Sequence, residues 1–235
     1  MDNEDIDRMS IEIPQCRLVY REFFPFWDKL TDRQREQLCA GTTEYSFRKG
    51  ANIHGLDETC TGAILVIKGC LRAYLLSENG RELTLYRFKE GEVCMLSASC
   101  VLRSITFDVI IDAAEDCQVY LVSGDVMARV SEENLYVQNY ALDNAVKRFS
   151  DVVWVMQQIM FFSLDKRLAV FLWDEMSRTE SARIKLTHEQ IAKYISSARE
   201  AVTRMLRYFA SEGIVELSRG DITVIDKDKL RALTY

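Results

Sequence analysis

The 235-residue chain has only two histidines, His54 and His188, and no Cys-x-x-Cys pair. Zinc sites and histidine-rich metal centres therefore have little to be built from, and haem would depend on His54, in a turn-rich segment, as its axial ligand. No apolar run approaches the roughly 18 to 20 residues that span a bilayer, and the acidic start Met1-Asp2-Asn3-Glu4-Asp5 lacks the basic flank of an export signal. These absences predict a cytoplasmic protein with no membrane partner. The seven cysteines (Cys16, Cys39, Cys60, Cys70, Cys94, Cys100 and Cys117) are odd in number and show no close pairing, so they read as reduced thiols and not as a disulfide framework. Hydrophobic residues make up 48% of the chain, enough for a substantial core in one large or two ordinary domains.

A net charge of -6 argues at first against a nucleic-acid partner, but the charge is unevenly placed. Residues 1 to 180 hold 20 Lys or Arg against 29 Asp or Glu, whereas residues 181 to 235 hold 10 against 7. The basic surplus coincides with the most informative stretch, Leu186 to Leu217. Thr187-His188-Glu189-Gln190 has the form of a capping box and opens a helix. Ile191, Ala192 and Ile195 give that helix an apolar face, and Ser196-Ser197 interrupts it. In the next helix Val202, Leu206 and Phe209 are spaced for burial, while Arg199, Glu200, Thr203, Arg204 and Arg207 fall outside. Two short helices, a tight turn and a polar second helix make a helix-turn-helix.

The run Ser197-Ala198-Arg199-Glu200-Ala201-Val202-Thr203-Arg204 resembles the recognition helix of the CRP/FNR transcription regulators. The resemblance implies that Arg199, Glu200 and Arg204 read bases, and the chemistry agrees: an Arg fork suits guanine O6 and N7, and a carboxylate accepts from cytosine N4. Ser197, Thr203, Arg207 and Thr187 complete the expected DNA-binding set. Ser196 stands where the family often has Gly, at a turn position that favours positive φ, and Ala201 stands where Thr is common.

The resemblance extends over most of the chain. Phe23-Phe24-Pro25-Phe26-Trp27 is a dense aromatic group read as core, and Thr31-Asp32-Arg33-Gln34 is a second capping box opening a short helix to about Cys39. From Thr43 to Val122 short apolar runs are broken by glycines, with Asn79-Gly80 as a hairpin turn. Ile67-Lys68-Gly69-Cys70-Leu71 and Lys89-Glu90-Gly91-Glu92-Val93 are similar to the turns of the cyclic-nucleotide-binding β-roll. Family members that bind cAMP present Gly-Glu to the ribose and Arg-Ser or Arg-Thr to the phosphate. Here Met95-Leu96 and Phe107-Asp108 stand there, and an apolar group followed by a carboxylate does not suit a cyclic phosphate. Arg103 keeps a cyclic-nucleotide-responsive regulator open as an alternative. Cys94, Leu96, Ser97, Cys100, Arg103, Phe107 and Asp108 are the effector-pocket candidates, with Cys94 and Cys100 read either as packed small residues or as redox-responsive thiols. No iron–sulfur motif is present, and the effector stays unknown.

From about Ser131 the period changes again. Leu142, Ala145, Phe149, Val152, Met156 and Ile159 alternate spacings of three and four, predicting a long helix of roughly 30 residues that pairs with a second copy of itself. Ser163-Leu164-Asp165-Lys166 opens a further helix, and Ile214 to Ile225 forms a hairpin wing on which Arg219 faces phosphate. The predicted fold is α+β: a cyclic-nucleotide-binding-like β-roll (a double-stranded β-helix) with an N-terminal helix over 1–130, a dimerisation helix over 131–162 and a winged helix-turn-helix over 163–235. The expected function is that of a homodimeric transcription regulator, not an enzyme. It would bind double-stranded DNA at an inverted repeat, meet RNA polymerase if it activates, and respond to an effector other than cAMP or to thiol redox state. A cupin-like metal barrel is the remaining alternative, and it needs clustered histidines where the β segment has only His54.

Overall fold

The computed structural model describes residues 6–10, 13–55, 62–95, 109–218 and 220–235. It divides into two units: Met1–Leu75 with Leu85–Val152, and Leu76–Thr84 with Val153–Tyr235.

In the first unit β1 (Ile6–Ser10) precedes α1 (Ile13–Phe23), a single 3-10 turn (Trp27–Lys29) and α2 (Asp32–Ala40). The capping box forms as its residues predict. Thr31 Oγ1 accepts from the Gln34 amide at 3.3 Å, and Gln34 Oε1 accepts from the Thr31 amide at 3.0 Å. The aromatic group is core: Phe24, Phe26 and Trp27 are buried, and the Phe24 and Phe26 rings stack 4.9 Å apart.

One expectation is overturned here. Cys16 of α1 and Cys39 of α2 form a disulfide, with Cα atoms 5.7 Å apart and a sequence separation of 23. The packing of α1 on α2 creates this proximity, and sequence spacing carries no trace of it. Cys70, Cys94 and Cys117 are buried free thiols. Burial, with Cys70 and Asp116 nearby, pushes the Cys117 thiol up to about 12, so it stays protonated.

The β-roll follows as β2 (Thr42–Phe47), β3 (Asn52–His54), β4 (Ala63–Lys68), β5 (Leu71–Leu76), β6 (Glu82–Phe88), β7 (Val93–Cys94), β8 (Ile110–Ala113) and β9 (Cys117–Val122). One sheet has the order β1-β2-β9-β4-β7 and the other β3-β8-β5-β6, and the pairs β1/β2, β2/β9, β4/β9, β4/β7, β3/β8 and β5/β8 are antiparallel. Alternate residues of a strand point to opposite faces, and β4 is buried on both. Ala63 and Leu65 join the cluster formed with the helices, while Ile64 and Val66 are buried on the opposite face. Gly69 carries φ +86°, and a Cβ there would lie 2.4 Å from the Asp116 carbonyl, so the tight turn between β4 and β5 requires glycine.

After α3 (Gly124–Glu133), Asn134 leaves the helical conformation at φ -135°, ψ 109°, and α4 runs from Leu135 to Phe161 over 27 residues. The long helix thus starts four residues later than its periodicity predicts. The cause is Asn134, whose Oδ1 accepts from the Tyr136 amide at 3.0 Å while its Nδ2 donates to Lys29 O and Gln34 Oε1. The buried side of α4 includes Val137, Ala141 and, unexpectedly, Arg148. Arg148 is paired with Glu92 at 3.4 Å and Asp151 at 3.0 Å, and its guanidinium lies 4.6 Å from the Phe88 ring centre.

In the second unit α5 (Leu164–Thr179), β10 (Arg183–Ile184), α6 (His188–Tyr194), α7 (Arg199–Ser211), β11 (Val215–Ser218), β12 (Asp221–Val224) and α8 (Lys227–Ala232) enclose one core. β11 and β12 form the expected hairpin, with Ser218 opposite Asp221, and β10 adds a third strand against β12. Leu168, Leu172, Ile191, Val202, Leu206 and Phe209 are fully buried, which fixes α6 and α7 against α5. Among the described residues no helix is long and apolar enough to cross a membrane, and none group as three or more His, Cys, Asp or Glu able to hold a metal.

Candidate nucleic-acid interface

The helix pair is built by local chemistry that the sequence already shows. Thr187 caps α6, accepting from the Gln190 amide at 3.2 Å while Gln190 Oε1 accepts from the Thr187 amide at 2.9 Å. The helix ends in a Schellman turn: the Ser197 amide donates to the Ala192 carbonyl at 2.9 Å, and Ser196 sits at the left-handed position with φ +50°. Ser196 adopts that conformation without being glycine, at a cost of about 1 kcal/mol. Ser197 is half-buried in the turn, so the amide and not the hydroxyl has the clearest role.

Val202, Leu206 and Phe209 anchor α7, and this leaves two rows facing outward. Arg199, Thr203 and Arg207 form one at i, i+4 spacing, with Glu200 and Arg204 beside it. Arg199, Glu200, Arg204 and Arg207 are exposed, and among the described residues none of the four has an ion pair or side-chain hydrogen bond. Four charged groups held by a buried backbone and left unneutralised are available to an external ligand. Their chemistry fits base edges and phosphates.

A cleft of about 260 Å³ opens between the start of α6, the start of α7 and the wing. Thr187, His188, Glu189, Arg199, Ser218 and Asp221 are among its lining. Asp221 forms an ion pair with Arg183 of β10, which holds its carboxyl below the usual range. His188 is the residue that sequence reasoning missed; nothing in its spacing marks it. It is half-buried, with Nδ1 2.9 Å from Thr203 Oγ1, and burial followed by the nearby charges of Arg199 and Arg207 lowers its pKa.

The remaining expected sites divide unevenly. Leu96, Ser97, Cys100, Arg103, Phe107 and Asp108 of the effector pocket, and Arg219 of the wing, lie outside the described residues. Cys94 is buried in β7 opposite Ile64 of β4. On α4, Leu142, Phe149, Met156 and Ile159 of the expected seam are exposed, whereas Ala145 and Val152 are half-buried. Val146, Val153 and Met160 are exposed as well. Leu142, Val146, Phe149, Val153, Met156 and Met160 therefore form a continuous outward row at spacings of four and three.

A β-roll unit and a winged helix-turn-helix with an unneutralised recognition helix define a class of transcription regulator, and the comparisons agree. Residues 44–134 match the cyclic nucleotide-binding domain family, and residues 166–233 match the Crp-like helix-turn-helix domain family. A solved structure from Eubacterium rectale, described as a transcriptional regulator of the Crp/Fnr family, is 43% identical. It covers 91% of this chain and 99% of its own, with a TM-score of 0.86. FixK2 from Bradyrhizobium japonicum shares the fold at 22% identity, covering 83% of this chain and 98% of its own, with a TM-score of 0.70. Flp of Lacticaseibacillus casei, a curated relative described as a transcriptional regulator, is 22% identical over 90% of this chain and 96% of its own length. The chain belongs to the CRP/FNR family: it is a transcriptional regulator with a DNA-binding helix-turn-helix, not an enzyme.

Proposed function

We propose that this regulator acts in the cytoplasm as a homodimer on an inverted-repeat DNA site, with Arg199, Glu200 and Arg204 reading bases and Thr187, Ser197, Thr203, Arg207 and Arg219 positioning the backbone. The observation that carries this reading is the unneutralised row on α7, held outward by three fully buried side chains. A single recognition helix reads few bases, whereas two related by a two-fold axis enter successive major grooves about 34 Å apart. The outward apolar row of α4 supports self-pairing, since apolar groups at these spacings on a solvent face are the seam of a two-stranded coil. The division of labour is a sensor over 1–130, a dimerisation helix over 131–162 and a DNA-binding domain over 163–235.

Control comes from an effector other than cAMP or from thiol redox state, acting by a difference in affinity between two settings of the dimer. In the sequence, Leu96, Phe107 and Asp108 replace the ribose- and phosphate-contacting residues of the cAMP-binding family members, and their chemistry disfavours a cyclic phosphate. Selection from a random DNA pool, at one salt concentration and with reduced, oxidised and cyclic-nucleotide-supplemented protein, tests the whole reading. The expected result is an enriched palindrome containing G·C pairs. Enrichment of asymmetric single sites would remove the dimer, and best enrichment with cyclic nucleotide would restore the ligand disfavoured here.

A further inference from the structure

The hydrogen bonds around His188 determine where its proton sits. Thr203 Oγ1 lies 2.9 Å from the Arg199 carbonyl oxygen and 2.9 Å from His188 Nδ1. A carbonyl cannot donate, so the single hydroxyl proton of Thr203 goes to Arg199 O. Thr203 must then accept from His188, which places a proton on Nδ1. In the neutral ring Nε2 is therefore a bare lone pair, and it has no hydrogen-bond partner among the described residues.

A bare lone pair cannot hold an anion, because a phosphate oxygen offers only lone pairs in return. The cleft that His188 lines is nevertheless part of the surface read as meeting DNA: it shares Arg199 with the recognition helix and Ser218 and Gly220 with the wing. We propose that His188 takes up a proton on Nε2 when DNA binds, and in that state holds a backbone phosphate in this cleft beside Arg199. This rests on the DNA-binding reading of α7 and adds to it a proton-coupled contact from the neighbouring helix.

The charged groups around the ring set the direction of the effect. Burial opposes protonation in the free protein, and from α7 Arg199 and Arg207 act the same way, so the ring's pKa lies below the ordinary value of 6.5 and the neutral form predominates at pH 7. From its own helix Glu189 is exposed to water, and from the wing Asp221 is already held by Arg183, with Lys185 also near it. A phosphate entering the cleft reverses the balance by placing negative charge beside both arginines and offering Nε2 an acceptor. The bound-state pKa then exceeds the free-state one. Binding takes up a proton, and affinity rises as pH falls from the bound-state value toward the free-state value, by about tenfold for each unit of rise.

The test uses the full-length protein and a random-sequence duplex long enough for two half-sites, because a phosphate contact does not depend on base sequence. With only two histidines in the chain, imidazole NMR resonances give both pKa values directly, and His54 serves as an internal reference for the general field of the duplex. The expected result is a rise of about one unit at His188 alone, together with binding that tightens by about tenfold per engaged His188 between a pH well above the measured bound-state pKa and a pH well below the measured free-state pKa, at fixed ionic strength. In His188→Gln, which cannot protonate, binding should persist with most of that pH slope gone. An unchanged His188, an equal rise at His54, or an equal slope in His188→Gln would each overturn the proposal while leaving the regulator reading intact. Failure of the wild-type protein to bind any duplex at any pH would overturn both.

Discussion

Arg199 and Arg204 extend from a helix whose other face is fixed by three fully buried side chains, so their positions are set before a ligand arrives. Replacing either by Ala should weaken binding to the selected palindrome by about 1–3 kcal/mol and binding to random DNA much less. Equal losses on both would reassign them as phosphate contacts; fluorescence anisotropy at one salt concentration separates the two. The exposure of Arg199 and Arg204 was legible in the sequence, because the spacing of Val202, Leu206 and Phe209 fixes which side of the helix faces out. His188 was not, because its role depends on Thr203, 15 residues away, which in turn bonds the Arg199 carbonyl. Proton placement is a property of that three-atom chain and not of a residue type.

The elements differ in how much of their behaviour is local. The capping boxes at Thr31 and Thr187 formed as read, because each closes within four residues. The long helix α4 was predicted in kind but not in detail. Its start depends on Asn134, which also holds Lys29 and Gln34 of the N-terminal segment, and Val146 and Val153 are exposed where the periodicity named Ala145 and Val152, which are half-buried. The neighbours Ala145 and Val146, and Val152 and Val153, are all apolar, and only packing decides which of each pair faces solvent. Phe149 is 69% exposed at the middle of the row, so Phe149→Glu should convert dimer to monomer in sedimentation experiments, whereas Lys147→Glu should not. Arg148, on the opposite side, joins α4 to Glu92 beside β7 and packs its guanidinium over Phe88 and Tyr86. Arg148→Ala should cost about 2–3 kcal/mol in urea denaturation and Arg148→Met about 1, since methionine keeps most of the packing. Equal costs would assign the whole effect to the lost ion pairs.

For the molecule as a whole, the Cys16–Cys39 bond closes a loop of 23 residues in the first unit. Closing a loop of that size stabilises a fold by about 3 kcal/mol. Thiol reductant should therefore lower the unfolding midpoint of the wild-type protein by several degrees and leave a Cys16→Ser, Cys39→Ser double variant unchanged in calorimetry. An equal response in both would locate the effect in other thiols. By itself the sequence determined what closes over short distances: helix caps, the Asn79-Gly80 and wing hairpins, the burial pattern of α7, and the family these signatures resemble. Only the tertiary structure decided the disulfide, the Arg148–Glu92 ion pair, the outward row of α4 and the tautomer of His188. Each of these joins elements that are distant in sequence or chooses between faces of equal polarity, and residue spacing does not encode such a choice until the core has packed.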